Sequence, residues 1–153
     1  MRIDLATEAD LPALVAAMPQ QELIAERLAR QVRGDGQLLV VRHNDGRPIG
    51  MVYLWREPAD EPELREHLPE VPLLMHFEVL EEYRGQGIGT RLLRDAERRL
   101  QDAGHDRVAL GVHPDNHDAI RLYLRSGYRP WPHGLVTTDG DKYRIYVKDL
   151  GRR

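Results

Sequence analysis

Val79-Leu80-Glu81-Glu82-Tyr83-Arg84-Gly85-Gln86-Gly87-Ile88-Gly89-Thr90-Arg91-Leu92-Leu93 is the stretch on which the reading of this chain turns. Before it, Leu73 to Leu80 is an apolar run with the length of a buried central strand. After it, Ile88, Leu92, Leu93, Ala96, Leu100 and Ala103 fall on one helical stripe. Arg91, Arg94, Asp95, Arg98 and Arg99 take the other face, and Gly104 is placed to end the helix. The turn from Tyr83 to Gly89 therefore opens a helix. The first amides of a helix lack partners within it and carry a partial positive charge, which suits an anion. Glycines let the backbone bend sharply and let a phosphate approach with no Cβ in the way, and Arg84 adds a permanent cation.

Two other glycine loops do not fit. A dinucleotide fingerprint needs G-x-G-x-x-G, but Thr90 stands three residues after Gly87, and no lysine follows the last glycine as a P-loop requires. A turn that merely ends a strand and starts a helix, or one that holds ATP, stays open on these residues alone.

Outward from the turn, the periodicities alternate between strand and helix. Ile3 and Leu5 form a short strand, and Thr7 caps a helix running to about Met18 with Leu11, Leu14, Val15 and Met18 on one face. A second helix, about Gln20 to Val32, carries Leu23, Ile24, Leu28 and Val32. Gln37 to His43 and Ile49 to Trp55 are strands joined by the hairpin signal Asn44-Asp45-Gly46. From Glu57 to Pro72, prolines and acidic residues leave a weak helical pattern around Leu64 to Leu68, an excursion over the surface. Beyond Gly104, Val108 to Val112 is a strand, Asp115 or Asn116 caps a helix ended by Gly127, and Asp139-Gly140 joins Leu135–Thr138 to Lys142–Val147. The order β-α-α-β-β-β-α-β-α-β-β is α/β, with a parallel, right-handed βαβ unit from Leu73 to Val112.

With 153 residues, one domain spanning 1–153 is expected. A net charge of −3 argues against a general nucleic-acid binder. The absence of cysteine excludes a thiol nucleophile, a Cys-ligated zinc and a disulfide framework. No apolar run approaches the ~20 residues of a membrane span, and no signal segment precedes Ile3, so a cytoplasmic protein without a membrane partner is expected. His113 and His117 have i,i+4 spacing, but Pro114 lies between them, and no metal site is expected.

The quoted stretch resembles the signature segment of the GNAT superfamily of N-acetyltransferases, R-x-x-G-x-G, with Arg84, Gly87 and Gly89 in the defining places. Asn116-His117-Asp118-Ala119-Ile120-Arg121-Leu122-Tyr123-Leu124-Arg125-Ser126-Gly127-Tyr128 is similar to the family's N-x-x-A-x-x-x-Y-x-x-x-G-[FY] helix. The resemblance implies a GNAT-like fold: a mixed sheet of about seven strands with a splayed parallel pair and about four flanking helices. It implies acetyl-CoA as cosubstrate and acetyl transfer to a primary amine of a small molecule or peptide by direct attack. Backbone groups of Phe77 and Val79 would pair with the pantetheine arm, and the Val79 N–H would polarise the thioester carbonyl. Amides from Gly85 through Gln86, Gly87, Ile88 and Gly89 to Thr90 would hold the pyrophosphate. Asn116 would contact the pantetheine side, serve as helix N-cap, or both. Tyr123 would protonate the departing thiolate, since a phenol of pKa about 10 is a fair acid towards a thiolate whose conjugate acid lies near 8.5. Family members are often dimers, so a homodimer is implied, with Trp55 and Trp131 either at an interface or buried.

An alkyl ammonium of pKa about 10.4 leaves on the order of one molecule in a thousand as free amine at pH 7, so a base, a water relay to a distant carboxylate, or selection of the free amine with no dedicated base must supply the nucleophile. Where many members carry a polar group on the central strand, this chain has Leu73 and Met75. His76 and Glu78 are the nearest alternatives, placed on one face by strand alternation, with His76 the candidate base or a hydrogen-bonded core histidine. A non-catalytic CoA sensor is the rival function. The acceptor would be read by the variable parts, among them the acidic excursion from Glu57 to Pro72, whose charge would favour a cationic amine if it is more than a solvated loop.

Overall fold

The computed structural model describes residues 1–151. In chain order the elements are β1 (Arg2–Leu5), α1 (Leu11–Ala17), α2 (Gln21–Val32), β2 (Gly36–Arg42), β3 (Pro48–Trp55), α3 (Pro62–His67), β4 (Leu73–Val79), α4 (Ile88–Asp102), β5 (Arg107–Val112), α5 (His117–Arg125), β6 (Arg129–Thr138) and β7 (Asp141–Asp149). The strands form one mixed, seven-stranded sheet in the order β1-β2-β3-β4-β5-β7-β6. The α/β class and strand number agree with expectation; α3 is a helix where only a weak pattern was read. Among the described residues no helix is long and apolar enough to cross a membrane.

The described residues fall into two compact units, which divide within β4 and within α4. One comprises residues 1–55 and 75–96. Here β1, β2 and β3 form an antiparallel meander, with Asp4 opposite Val40 and Val40 opposite Met51. Leu38 to Val41 and Met51 to Leu54 are buried, as are Leu14 of α1, Met18 just after it, and Ile24 and Leu28 of α2; α1 lies against β3 and α2 against β2. Gln31 ties α2 down by donating to the Ala6 carbonyl (2.7 Å) and accepting from the Leu38 amide (2.8 Å). Val32, read as part of that apolar face, is 70% exposed: it is the last residue of α2, and the chain turns away at Gly34. Arg42 is buried at the far edge, between Asp4 (2.8 Å) and both oxygens of Asp10 (2.9 and 2.8 Å). The hydrogen bonds to Asp10 and then Asp4 raise the Arg42 pKa further, and the hydrogen bond from Arg42 lowers that of Asp10.

Gly50 interrupts an otherwise apolar strand for a steric reason. A Cβ there would stand 2.9 Å from the Glu78 carbonyl oxygen. The backbone of β3 thus comes close to β4, and the Leu80 amide bonds the Ile49 carbonyl at 2.9 Å.

The second unit comprises, of the described residues, 56–74 and 97–151. Leu73 and Leu74 of β4 pair in parallel with Ala109 and Leu110, the parallel relation read from the βαβ unit. β5 and β7 are antiparallel, with Ala109 opposite Val147. β6 begins at Arg129, earlier than the Leu135 read from the sequence, because Pro130 and Pro132 are tolerated in an edge strand; the register shifts between Pro130 and Leu135. The acidic excursion is folded onto this hairpin rather than solvated throughout. Leu64 and Leu68 are buried, and the buried Glu61 accepts from the Thr138 hydroxyl at 3.2 Å. His67 stacks on His133, with centroids 3.9 Å apart and planes at 10°, and both rings meet Trp131 edge-on. Trp55 and Trp131 are both buried within the chain itself.

Candidate active site

The glycine turn owes its shape to backbone conformations that side chains disfavour. Gly85 and Gly87 have φ of 76° and 79°, in the left-handed region. The Arg91 amide bonds the Gly87 carbonyl at 3.1 Å, which closes the first turn of α4. Ile88, Gly89 and Thr90 therefore supply the amides that have no carbonyl one turn back. No acidic residue lies in that first turn, which leaves the positive end of the helix dipole to face an anion. Gly85, Gln86 and Gly87 are exposed, while Ile88 is buried and anchors the helix.

Arg84 does more than add charge. Its Nε donates to the Val79 carbonyl at 2.8 Å, tying the end of β4 to the turn. Tyr83 braces the other side: its hydroxyl accepts from Arg47 Nη2 at 3.1 Å, and its ring lies 5.5 Å from that of His43. The turn is thereby held against the β2–β3 hairpin before any ligand arrives. A hollow lined by Met1, Arg2 and His43 to Gly46 lies at the tip of that hairpin and contains none of the residues read as functional.

β4 is not uniformly extended. His76 has φ of 56°, a conformation uncommon outside glycine, so the strand kinks there and strict alternation fails. His76 and Glu78 nonetheless both reach the α1–α2 segment. Arg27 Nε donates to His76 Nε2 at 3.3 Å, and Gln20 Nε2 donates to Glu78 at 3.4 Å. Burial, and then the charge of Arg27, push the His76 pKa down to about 4, with Glu26 pulling the other way. Phe77 and Met75 are half-buried, and Val79 is buried.

Thus His76, Phe77, Val79 and Arg84 to Thr90 gather in the first unit, and Asn116 and Tyr123 lie in the second. Asn116 is the N-cap of α5, its Oδ1 accepting from the Ala119 amide at 3.2 Å. Tyr123 is buried one turn after Ala119, its ring 5.8 Å from that of Tyr128. Burial raises its pKa, so it keeps its proton at neutral pH. His113 Nδ1 accepts from the Asp115 amide at 3.3 Å, within the turn that leads to α5.

Sequence reasoning missed Glu97. Its carboxylate accepts from the Tyr128 hydroxyl (2.8 Å) and from Lys148 Nζ (2.7 Å). A signal was available: Glu97 stands four residues after Leu93 and three before Leu100, a charge on the apolar stripe. Arg27 was missed as well, and no local pattern marks it.

A model of the acetyltransferase (GNAT) family matches residues 6–128, and the chain belongs to that family. The N-acetyltransferase YdgE of Bacillus subtilis, itself uncharacterized, is 26% identical over 88 residues, a segment covering 58% of this chain and 52% of that protein. The matched segment thus spans about half the length of this relative. Among solved structures, the ribosomal-protein-alanine N-acetyltransferase of Brucella melitensis aligns with a TM-score of 0.76 at 21% identity, covering 97% of this chain and 99% of that one. The PaiA N-acetyltransferase of Thermoplasma acidophilum, solved in complex with coenzyme A, aligns with a TM-score of 0.75 at 20% identity, over 97% and 98% of the two chains. At these identities the likeness is one of fold.

Proposed function

We propose that this chain is an acetyl-CoA-dependent N-acetyltransferase that acylates a primary amine of a small molecule or peptide by direct attack. The observation that carries the reading is the turn at Gly85 and Gly87, which presents the opening amides of α4 with no acidic residue in that first helical turn. These features fit a diphosphate: an exposed cradle, left-handed glycines and a helix start. Amides from Gly85 to Thr90 would hold that group, backbone groups of Phe77 and Val79 the pantetheine arm, and Asn116 a further contact. Acetyl-CoA, when bound, supplies the acetyl group as an activated thioester.

In this reading Tyr123 is the acid that hands a proton to the departing sulfur. Burial favours its neutral, proton-carrying form. His76 is assigned to the acceptor side and is neutral across the working pH range. The acceptor must lose a proton from an ammonium of pKa about 10.4, so turnover should rise with pH through the neutral range.

The test is a screen of amine classes, with release of CoA followed by thiol detection. Turnover on at least one primary amine is expected. Binding of acetyl-CoA without turnover on any class would favour a CoA sensor instead, a reading to which the apolar Leu73 and Met75 lend some support.

A further inference from the structure

We infer that Arg27 is a positioning residue that fixes His76 as the neutral tautomer protonated at Nδ1, so that His76 serves acetyl transfer as a hydrogen-bond donor and not as a proton acceptor. The catalytic half of this statement rests on the acetyltransferase reading; the tautomer does not.

A guanidinium has five N–H donors, no acceptor, and does not deprotonate in proteins. The imidazole nitrogen that meets Arg27 Nε at 3.3 Å must therefore be an acceptor, and that nitrogen is Nε2. A neutral imidazole with an accepting Nε2 carries its proton on Nδ1. The lone pair a base would use is already engaged.

Arg27 is not free to swing away. Its side chain is only 16% exposed, and Nη1 bonds the carboxylate of Glu26. Its guanidinium lies 5.4 Å from the Tyr53 ring centroid and 5.2 Å from that of Trp55, two buried rings of β3. A cation held over aromatic faces and paired to a carboxylate is fixed in direction. His76 is equally constrained, by its left-handed backbone. Strain of that kind, held in place by surrounding structure, is found most often at functional positions.

The charged groups around the imidazole agree. Arg27 and Glu26 come from α2, and Glu78 on β4 itself is turned to Gln20. Burial and the Arg27 charge outweigh Glu26, so the ring stays neutral well below pH 6. A group that weakly basic is poorly matched to an ammonium of pKa about 10.4. A neutral Nδ1–H can instead orient an acceptor or a water that offers a lone pair.

Long-range proton–nitrogen correlation of the nitrogen-15-labelled protein tests this directly, with His76 assigned by the signals lost in His76→Gln. Expected are a protonated Nδ1 and an unprotonated Nε2 at pH 7, unchanged down to pH 5. A protonated Nε2, or a titration midpoint near the ordinary value of about 6.5, overturns the inference. Arg27→Met should lift the midpoint towards 6.5 and mix the tautomers; if that variant fails to fold, the wild-type spectrum decides alone.

On an amine identified by the screen, His76→Gln keeps a neutral donor and should retain kcat within about tenfold. A general base would instead lose on the order of 10²–10⁴, and that result would assign His76 as the proton acceptor. If the screen finds no turnover the acetyltransferase reading fails, while the spectrum still decides the tautomer.

Discussion

Tyr128 donates its hydroxyl proton to Glu97 across 2.8 Å, and both side chains are buried. The second carboxylate oxygen is met by Lys148 at 2.7 Å, one of only two lysines among 22 basic residues. The lysine stem passes over Gly127, its Cε 3.4 Å from where a Cβ would stand. A charge set on the apolar stripe of α4 is thus satisfied by Lys148 of β7 and by Tyr128, which follows the Gly127 turn after α5. The Tyr128 ring lies against Tyr123, so the network also braces the proposed acid. Burial, reinforced by the charge of Glu97, raises the Tyr128 pKa and keeps it a donor.

Lys148→Met leaves that carboxylate buried with one partner. The expected loss is about 1–3 kcal/mol, scaled down from a fully buried pair because Lys148 is partly exposed. Replacing both Glu97 and Lys148 by Met should recover much of the loss, since no orphaned charge remains. Urea unfolding of the single and double variants measures this; a double variant worse than the sum of the singles would contradict it.

Acid should destabilise the fold in two stages. His76 has a folded pKa of about 4, below its unfolded value near 6.5. The unfolded chain therefore binds the proton first, and the stability is present above pH 6.5 and lost as pH falls towards 4. Asp10 is depressed mainly by its hydrogen bond to Arg42, so its contribution is present above about pH 3.9 and lost below. Chemical unfolding from pH 7 to 2.5 should show His76→Gln flattening the upper stage and Asp10→Asn the lower. Identical pH curves for wild type and both variants would refute the assignment.

Gly50→Ala places a methyl 2.9 Å from the Glu78 carbonyl oxygen, a backbone atom that cannot rotate aside. A cost of about 1–3 kcal/mol is expected from overpacking. The shift should fall on β4 beside His76, so chemical-shift changes concentrated at residues 76–80 are the companion observation. A variant as stable as wild type would show that β3 and β4 can separate freely.

Tyr123→Phe removes the hydroxyl and keeps the ring against Tyr128. If Tyr123 is the acid, kcat falls on the order of 10²–10⁴, while KM for acetyl-CoA stays within about twofold. Steady-state kinetics with the amine found by the screen measures both. Equal turnover in the variant would remove Tyr123 from the mechanism.

Elements set by near neighbours were readable in the sequence. The β2–β3 hairpin, the apolar stripe of α4, the Asn116 cap and the glycine turn all follow from short-range sterics, periodicity and capping. Errors arose where tertiary surroundings override a local rule. The last hairpin is read only from Leu135, yet β6 begins at Arg129, because an edge strand asks no ladder bond of Pro130 and Pro132. Strict alternation along β4 assumed an extended His76, and the left-handed kink there has no signature in residues 73–79. Glu97 carried a legible anomaly, yet neither Tyr128 nor Lys148, 31 and 51 residues away, announces itself as its partner.

The order of residues alone determined the family motif, the helix that opens after two glycines and the sheet those elements build, because each depends on backbone geometry within a few positions. Only the folded chain decided the chemical state of the side chains that matter. Whether His76 is a base or a neutral donor depends on an arginine 49 residues away and on the water that burial removes. A pKa is a property of surroundings in space, and those are assembled by folding.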